Sequence, residues 1–263
     1  VQADEQRTAA MVVATPGVLV LDQNIIARQS PGIVVRSSGV HIDLDGHAII
    51  CDDQPGIVID DGVTGVTITN GSILNPTIGI DGPGADMVRI DRLAIESPTG
   101  MGLRLGTGGV VTGTRVWRSA GEGAVLGSRA RVSHSSFIAN AGDGLRASAG
   151  SVLSYVSCAN NGGVGADVGR GSIVADASVV SNAGGGVRAS YACVLSGVVA
   201  DSNGMHGIVV DDGSVITSSF AGDSAGDGVR TGRGTAIETL SVRSNAGRGL
   251  VAGPESATEG VVS

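Results

Sequence analysis

Histidine and acidic residues recur at a spacing of 21 residues in this sequence. His206 and Asp227 are separated by 21 residues, as are Glu122 and Asp143. If neighbouring repeats stack, each pair lies close enough to share a proton or to orient a base. A carboxylate at Asp227 would also favour the protonated imidazole of His206, which is suited to donate a proton. His206 and Asp227 are therefore the candidate catalytic residues, and Glu122 and Asp143 are candidate substrate-binding residues.

The same positions have a simpler interpretation. Glu122, Asp143 and Asp227 each stand between two glycines. An acidic residue in such a setting is ordinary turn chemistry, because its side chain bonds nearby backbone groups. Both interpretations remain open at the level of sequence.

Arginines recur in every second repeat, three residues after this position. They are Arg104, Arg146, Arg188 and Arg230, with Asp167 between the second and the third. Stacked repeats are about 4.8 Å apart, which places these arginines roughly 10 Å from one another. Arginine grips carboxylates with two parallel hydrogen bonds, so the column would suit a polyanion such as a uronate polymer. Arg146, Arg188 and Arg230 are candidate substrate-binding residues; the alternative is a solvated row of surface charges.

A repeat positions all of these side chains. A glycine precedes an aliphatic or small residue at intervals of 23, 23 and then seven times 21, at Gly56, Gly79, Gly102, Gly123, Gly144, Gly165, Gly186, Gly207, Gly228 and Gly249. A fixed period of this length indicates a solenoid, in which each repeat buries its apolar face against its neighbours. Counting Gly32 as a further marker, the pattern predicts about eleven coils, most of them 21 residues long.

Three aliphatic columns follow each marker glycine, at one, nine and fourteen residues after it. In one repeat they are Leu145, Leu153 and Cys158. Short segments rich in β-branched residues and separated by Gly, Asn and Ser are typical of strands and turns. No stretch of ten residues keeps a helical period without glycines. The sequence therefore predicts an all-β chain with three inward-facing columns.

Asparagine and glycine occupy two further columns. Seventeen residues after the marker stand Asn140, Asn161, Asn182, Asn203 and Asn245, and two residues later glycine recurs, as in Gly142 and Gly163. Asparagine tolerates the left-handed conformation of a tight turn, and its amide can bond the next copy. This pattern predicts an asparagine ladder and a glycine column with positive φ.

These features together resemble a right-handed parallel β-helix of the pectate-lyase-like superfamily. The segment GIVVRSSGVHIDLDGHAII at residues 32–50, followed by GVTITNGSIL at 65–74, is similar to the entry coil of such proteins. The resemblance covers roughly residues 16–263. It implies a substrate along the outer face of the strand after the marker glycine. Lyases, hydrolases, epimerases, phage tailspikes and accessory proteins share this fold, and an enzyme of the lyase, epimerase or hydrolase type is the favoured interpretation. GMHGIVV at 204–210 is similar to a polygalacturonase strand, but Val164 and Gly185 stand where that family has carboxylates.

Composition narrows the classes of partner. The chain of 263 residues has a formal net charge of −8, and its 17 basic residues are all arginine. It has no basic cluster along the sequence, which argues against a nucleic-acid partner. It also has no run of about 18 apolar residues, which argues against a membrane span. Without lysine, Schiff-base chemistry is excluded. Cys51, Cys158 and Cys193 fit no metal spacing and are interpreted as small core residues.

One acidic cluster lies early in the chain, at HIDLDGH. Strand alternation places His41, Asp43 and Asp45 on one face, and Asp60 and Asp61 lie in the next coil. Oxygen ligands of this kind would suit Ca²⁺. The preferred interpretation is a turn-stabilising role, with no metal site and no cofactor assigned.

The ends of the chain lead to three further expectations. Residues 1–15 lie outside the repeat and are expected to form an N-terminal cap, with the β-helix domain at 16–263. The last coil stops before completing its turn, so end-to-end or side-by-side self-association through it is expected. No signal peptide is visible, and the expected location is extracellular or periplasmic.

The leading functional hypothesis is a carbohydrate-active β-helix that acts on or binds an acidic, uronate-type polysaccharide or another carbohydrate ligand. Proton abstraction of the lyase or epimerase type would be its chemistry. The scarcity of aromatic residues argues against it, because sugar rings stack on them and only Trp117, Tyr155 and Tyr191 are suited. The alternatives are a non-catalytic structural or surface scaffold and an enzyme for a small apolar metabolite.

Overall fold

Each coil of the chain forms three short strands, and each strand pairs in parallel with its counterpart one coil away. The computed structural model describes residues 5–7 and 9–262. In chain order the strands are β1 Glu5–Arg7, β2 Met11–Val13, β3 Gly17–Val20, β4 Ile25–Ala27, β5 Ile33–Val35, β6 Val40–Asp43, β7 Ala48–Cys51, β8 Ile57–Ile59, β9 Thr67–Leu74, β10 Ile80–Gly82, β11 Arg89–Glu96, β12 Leu103–Leu105, β13 Val110–Thr112, β14 Arg115–Trp117, β15 Ala124–Leu126, β16 Arg131–Ser133, β17 Ser136–Ile138, β18 Leu145–Ala147, β19 Val152–Ser154, β20 Ser157–Ala159, β21 Val164–Val168, β22 Ile173–Ala175, β23 Ser178–Val180, β24 Gly185–Ala189, β25 Val194–Ser196, β26 Val199–Asp201, β27 Ile208–Val210, β28 Val215–Gly222, β29 Val229–Thr231, β30 Ala236–Arg243, β31 Leu250–Val251 and β32 Ala257–Glu259.

The strands make three faces. The front sheet contains the strand that follows each marker glycine, in the order β2-β5-β8-β10-β12-β15-β18-β21-β24-β27-β29-β31. The side face contains the next strand of each coil and the rear face the third, and long strands such as β28 run through both. Among the described residues the front sheet has twelve strands, one more than the eleven coils predicted, because β2 pairs below β5. The fold is thus the predicted all-β parallel solenoid.

The register explains why the period is visible in the sequence. Leu103 pairs with Ala124, Ala124 with Leu145, and Leu145 with Ala166, so that each residue stacks on the residue 21 positions away. The three predicted inward columns are buried, including Val111, Val116 and Phe137. A parallel sheet closed around an aliphatic interior needs few aromatic residues, since identical small side chains stack in rows.

The corners use the left-handed backbone at positions that the sequence pattern did not indicate. From Gly108 to Ser244 every coil has one positive-φ residue at each of its three corners. Within a coil these residues follow one another at intervals of five, as in Gly150, Tyr155 and Asn160. At the corner between rear and front this residue precedes the asparagine, as Asn160 precedes Asn161. The predicted positive φ for the asparagines and for the glycine column containing Gly142 and Gly163 was therefore wrong.

Close approach between coils explains that glycine column. A Cβ atom built on Gly163 would lie 2.2 Å from an oxygen of Asp143 and 2.8 Å from its backbone nitrogen. The marker glycines are constrained in a similar way, since a Cβ on Gly144 would lie 2.7 Å from Nδ2 of Asn161. Both glycine columns are thus required by contact with a neighbouring atom and not by dihedral angle.

The asparagine column makes continuous hydrogen bonds inside the corner between rear and front. Asn161 Nδ2 donates to Asn182 Oδ1 at 2.8 Å and to the carbonyl oxygen of Phe137 at 3.0 Å. Its own Oδ1 accepts from both the backbone nitrogen and Nδ2 of Asn140. These asparagines are about 1% exposed or less. Their side chains therefore satisfy buried backbone groups that the turn leaves without partners.

The three thiols are free and buried, which predicts that they are unreactive in the folded protein. Burial raises the pKa of Cys51 and of Cys158 to about 12 and also raises the pKa of Cys193. Because the thiolate is the reactive form, we expect no labelling by a disulfide reagent at about pH 8 and complete labelling in denaturant. Rapid labelling of the native protein would contradict this expectation.

Candidate functional site

The predicted arginine column lies on the outer face of the front sheet. The column crosses neighbouring strands, and Asp167 lies between two of its arginines, because Arg146 pairs with Asp167 and Asp167 pairs with Arg188. The next two pairings bring Val209 beside Arg188 and Arg230 beside Val209. Alternation along each strand turns these side chains outward, because the residues on either side of them point into the core.

Each arginine of this column lies against a carboxylate of the protein. Arg188 donates to both oxygens of Asp167, at 3.2 and 2.6 Å, and Arg104 does the same to Asp81 at 2.7 and 2.8 Å. These hydrogen bonds raise the pKa of Arg104 and of Arg188. The column is therefore a row of ion pairs with its own counter-charges.

Arg146 joins the largest group of charges on this face. Its Nη2 donates to Asp143 at 2.6 Å, its Nη1 lies 3.9 Å from Glu122, and its Nε lies 3.6 Å from Asp167. Only the bond to Asp143 is short enough to be a hydrogen bond. The side chain is 46% exposed. Three predicted residues, Arg146, Glu122 and Asp143, thus meet here, and two nitrogens of the guanidinium keep N–H donors without a hydrogen-bonding acceptor.

Asp143, His206 and Asp227 share one structural role. Each accepts a hydrogen bond from the backbone nitrogen one coil further on, from Val164, Asp227 and Arg248 respectively, at 2.7, 2.9 and 2.8 Å. The accepting atoms are a carboxylate oxygen, the ring Nδ1 and a carboxylate oxygen. The turn chemistry considered from the sequence is therefore present at all three positions.

The bond to His206 fixes the form of its ring. Nδ1 accepts the N–H of Asp227, so Nδ1 carries no proton in this arrangement and Nε2 carries the ring proton. The carboxylate of Asp227 is near, with Oδ2 at 3.7 Å from Nδ1 and 3.4 Å from Nη1 of Arg230. The predicted imidazolium does not fit this bond, because a protonated Nδ1 cannot accept. His206 instead offers one donor, Nε2–H.

Two adjoining grooves follow the front sheet at this level. One, of about 430 Å³, is lined by Asp143, Arg146, Val164, Arg188, Met205 and His206. The other, of about 380 Å³, shares Arg146 and Arg188 and adds Ser148, Asp167, Ser190 and Asp211. Together they form the front groove. Among the predicted site residues, Glu122, Asp227 and Arg230 do not line it.

Sequence reasoning left three residues of the front groove unassigned. Ser148, Ser190 and Asp211 each stand four residues after a marker glycine, just past the end of a front strand. Their signal was the shared position, since residues four after the marker lie at the same edge of the sheet in every coil. The variety of residue types in this column hid it.

The acidic cluster near the start of the chain has the geometry of a turn. Asp43 Oδ1 accepts from the backbone nitrogen of Asp45 at 2.9 Å and from Asn70 at 3.1 Å. The backbone hydrogen bond from Asp45 is the main cause that lowers the pKa of Asp43. Asp60 lies 3.5 Å from Arg36. The preferred turn-stabilising role accounts for these contacts.

Solved structures share the fold along nearly the whole chain. The A-module of the mannuronan C-5 epimerase AlgE6 of Azotobacter vinelandii is 16% identical, with a TM-score of 0.76 over 95% of this chain and 91% of that one. The periplasmic alginate epimerase AlgG is 15% identical, with a TM-score of 0.61 over 95% of this chain and 79% of that one. The catalytic domain of a GH87 α-1,3-glucanase is 9% identical, with a TM-score of 0.66 over 96% of this chain and 64% of that one. At such identities the likeness is one of fold.

The sequence itself matches a family model but no curated protein. In the described part of the chain no helix is long and apolar enough to cross a membrane. The family model is described as a right handed beta helix region, and it matches residues 9–172, more than half of the chain. With the parallel coils and their 21-residue register in place, the chain belongs to the right-handed β-helix family.

Proposed function

We propose that the protein binds and modifies an acidic, uronate-type polysaccharide along the front groove. The observation that carries this proposal is the half-exposed guanidinium of Arg146, which keeps two N–H-bearing nitrogens without a hydrogen-bonding acceptor. Each of those donors can bond one oxygen of a sugar carboxylate. Two of the similar structures are named as epimerases of mannuronan and alginate, which supports this substrate class.

Each residue of the front groove has a separate role in this proposal. Arg146 binds the uronate carboxylate, and its positive charge offsets the negative charge of that group. His206 donates from Nε2 to a glycan oxygen. Asp143 and the backbone nitrogen of Asp227 are positioning groups, since the first aims Arg146 and the second fixes the histidine ring. A polymeric substrate of this kind implies an extracellular or periplasmic location.

The test is a panel of glycans with three readouts. We expect turnover or binding of polymannuronate, polyguluronate or polygalacturonate, and neither with a neutral α-1,3-glucan. Unsaturated uronides would report elimination, inversion at C5 observed by NMR would report epimerisation, and new reducing ends without unsaturation would report hydrolysis. Binding without any of these products identifies a non-catalytic scaffold that recognises glycans. No binding and no turnover on any uronate overturns the proposal.

A further inference from the structure

A second depression follows the corner between the front and side faces. One part, of about 560 Å³, is lined by Met87, Arg129, Arg131 and Gly150 among others. The next part, of about 600 Å³, shares Gly150 and continues past Arg170 to Tyr191. We call the two parts together the corner trough, which is lined by Asp86, Met87, Thr107, Gly108, Arg129, Arg131, Ala149, Gly150, Val152, Arg170, Gly171, Tyr191 and Ala192. It runs parallel to the coil axis and spans six successive coils.

The arginines of the corner trough differ from those of the front groove in having no counter-charge. Arg129, Arg131 and Arg170 are exposed and, within the described part of the chain, none of them makes an ion pair or a side-chain hydrogen bond. Arg89, on the strand that pairs with β13 below Arg131, is also exposed and unpaired. The acidic side chain in the trough is Asp86, one oxygen of which accepts from the backbone nitrogen of Thr107. The trough therefore carries a local positive charge on a chain whose net charge is −8.

The backbone of this corner makes room for an extended ligand. Its positive-φ position is glycine in three of the coils concerned, at Gly108, Gly150 and Gly171, so no side chain fills the floor there. Arg129 occupies the same position, with φ of 58°, and its side chain extends from the corner. Arg129 and Arg170 are two coils apart, roughly 10 Å along the axis. The charges are thus spaced along a line, as an extended polymer requires.

Exposed apolar side chains stand at both ends of the line of charges. Met87 is 62% exposed and Tyr191 is 57% exposed. An exposed tyrosine ring provides a flat face for a sugar, with a hydroxyl for hydrogen bonding. Trp117 lies under Arg115 on the rear face, and Tyr155 has one ring face stacked on His134. Tyr191 is the aromatic side chain that lines the trough.

We propose that the corner trough is a binding site for a carboxylated polysaccharide, separate from the front groove and without a catalytic role. It adjoins the groove directly, because the groove residues Ser148 and Ser190 immediately precede Ala149 and Tyr191 of the trough. The proposal rests on the proposed function only for the class of ligand. A polysaccharide fits better than a single-stranded nucleic acid, because successive bases stack on several aromatic side chains and Tyr191 is the aromatic residue of the trough lining.

The test is the double variant Arg129→Ala and Arg170→Ala. With polygalacturonate and polymannuronate as probes, we expect the dissociation constant to rise on the order of tenfold at low ionic strength. The dependence of affinity on salt should also weaken, since fewer charges pair. The melting temperature should stay the same, because neither side chain makes a folded-state bond. Arg28→Ala removes an exposed, unpaired arginine outside the trough and is the matched control, expected to bind as the parent does.

The outcomes separate this site from the front groove. If the double variant binds the polymer as tightly as the parent does, the proposed binding site in the trough is wrong, whether or not the front groove binds glycan. Weakened polymer binding together with unchanged turnover of short oligouronates supports a separate binding site. If no uronate is turned over but the double variant still loses affinity, the proposed catalytic activity is wrong and the proposed binding site in the trough is supported. Tight binding of single-stranded DNA that the double variant loses, with no uronate binding, overturns the assignment to polysaccharide.

Discussion

Replacing Asn161 by leucine is expected to lower the free energy of unfolding by about 2–6 kcal/mol. The asparagine is 1% exposed and lies in the middle of its column. Leucine removes the acceptor for both the backbone N–H and the Nδ2 of Asn140. Both groups then remain buried without partners, and each costs on the order of 1–3 kcal/mol. Urea denaturation followed by circular dichroism measures the change.

Asn245→Leu is the matched control for this prediction. Asn245 makes the same kinds of bond, accepting from the backbone nitrogen of Ser224 and donating to the carbonyl oxygen of Ala221. It is partly exposed, however, and only one group, the backbone N–H of Ser224, loses its acceptor, so we expect a loss of about 1 kcal/mol. Equal losses at the two positions would show that burial within the column does not set the cost.

Arg146→Ala is expected to reduce kcat/KM, or affinity if the protein only binds, by between about tenfold and about a hundredfold on an acidic glycan. The variant removes a guanidinium that lines the front groove and keeps two nitrogens without a hydrogen-bonding acceptor. Its effect on the melting temperature should be small, because the side chain is half exposed and its loss leaves Asp143 still bonded to the backbone nitrogen of Val164. Initial rates and titration calorimetry on the same glycan measure the effect.

Arg104→Ala is the control in the same column. Arg104 is paired with Asp81 two coils away from Arg146 and does not line the groove. We expect it to bind and turn over glycan as the parent does. A loss equal to that of Arg146→Ala would mean that the charge of the face as a whole, and not the front groove, governs recognition.

His206→Asn separates a functional histidine from a structural one. An asparagine oxygen can accept the N–H of Asp227, as the side-chain oxygens of Asp143 and Asp227 do at the equivalent position of their own coils. The turn is then kept while the ring Nε2 is lost. We expect a normal melting temperature with turnover reduced at least about tenfold. Unchanged turnover would limit His206 to the turn.

The sequence alone determined the coil and its columns. Residues 21 apart, such as Leu145 and Ala166, become neighbours in the same sheet, so a periodic list of residues is already a map of what stacks on what. The asparagine positions followed for the same reason, and the hydrogen bonds of Asn161 agree with the expectation that each amide bonds the next copy. The corner conformations did not follow, because residues as different as Tyr155, Ala139 and Gly150 adopt positive φ where the closed coil requires it.

Only the tertiary structure decided which charges are paired. Arg146 and Arg188 have the same place in the repeat, yet Arg188 bonds both oxygens of Asp167, whereas Arg146 bonds Asp143 within its own coil and has two nitrogens without a hydrogen-bonding acceptor. The corner trough was also hidden, since Arg129, Arg131 and Arg170 occupy three different positions of the repeat. The physical reason is that backbone stacking is fixed by the period, whereas long side chains choose among several partners within reach in three dimensions.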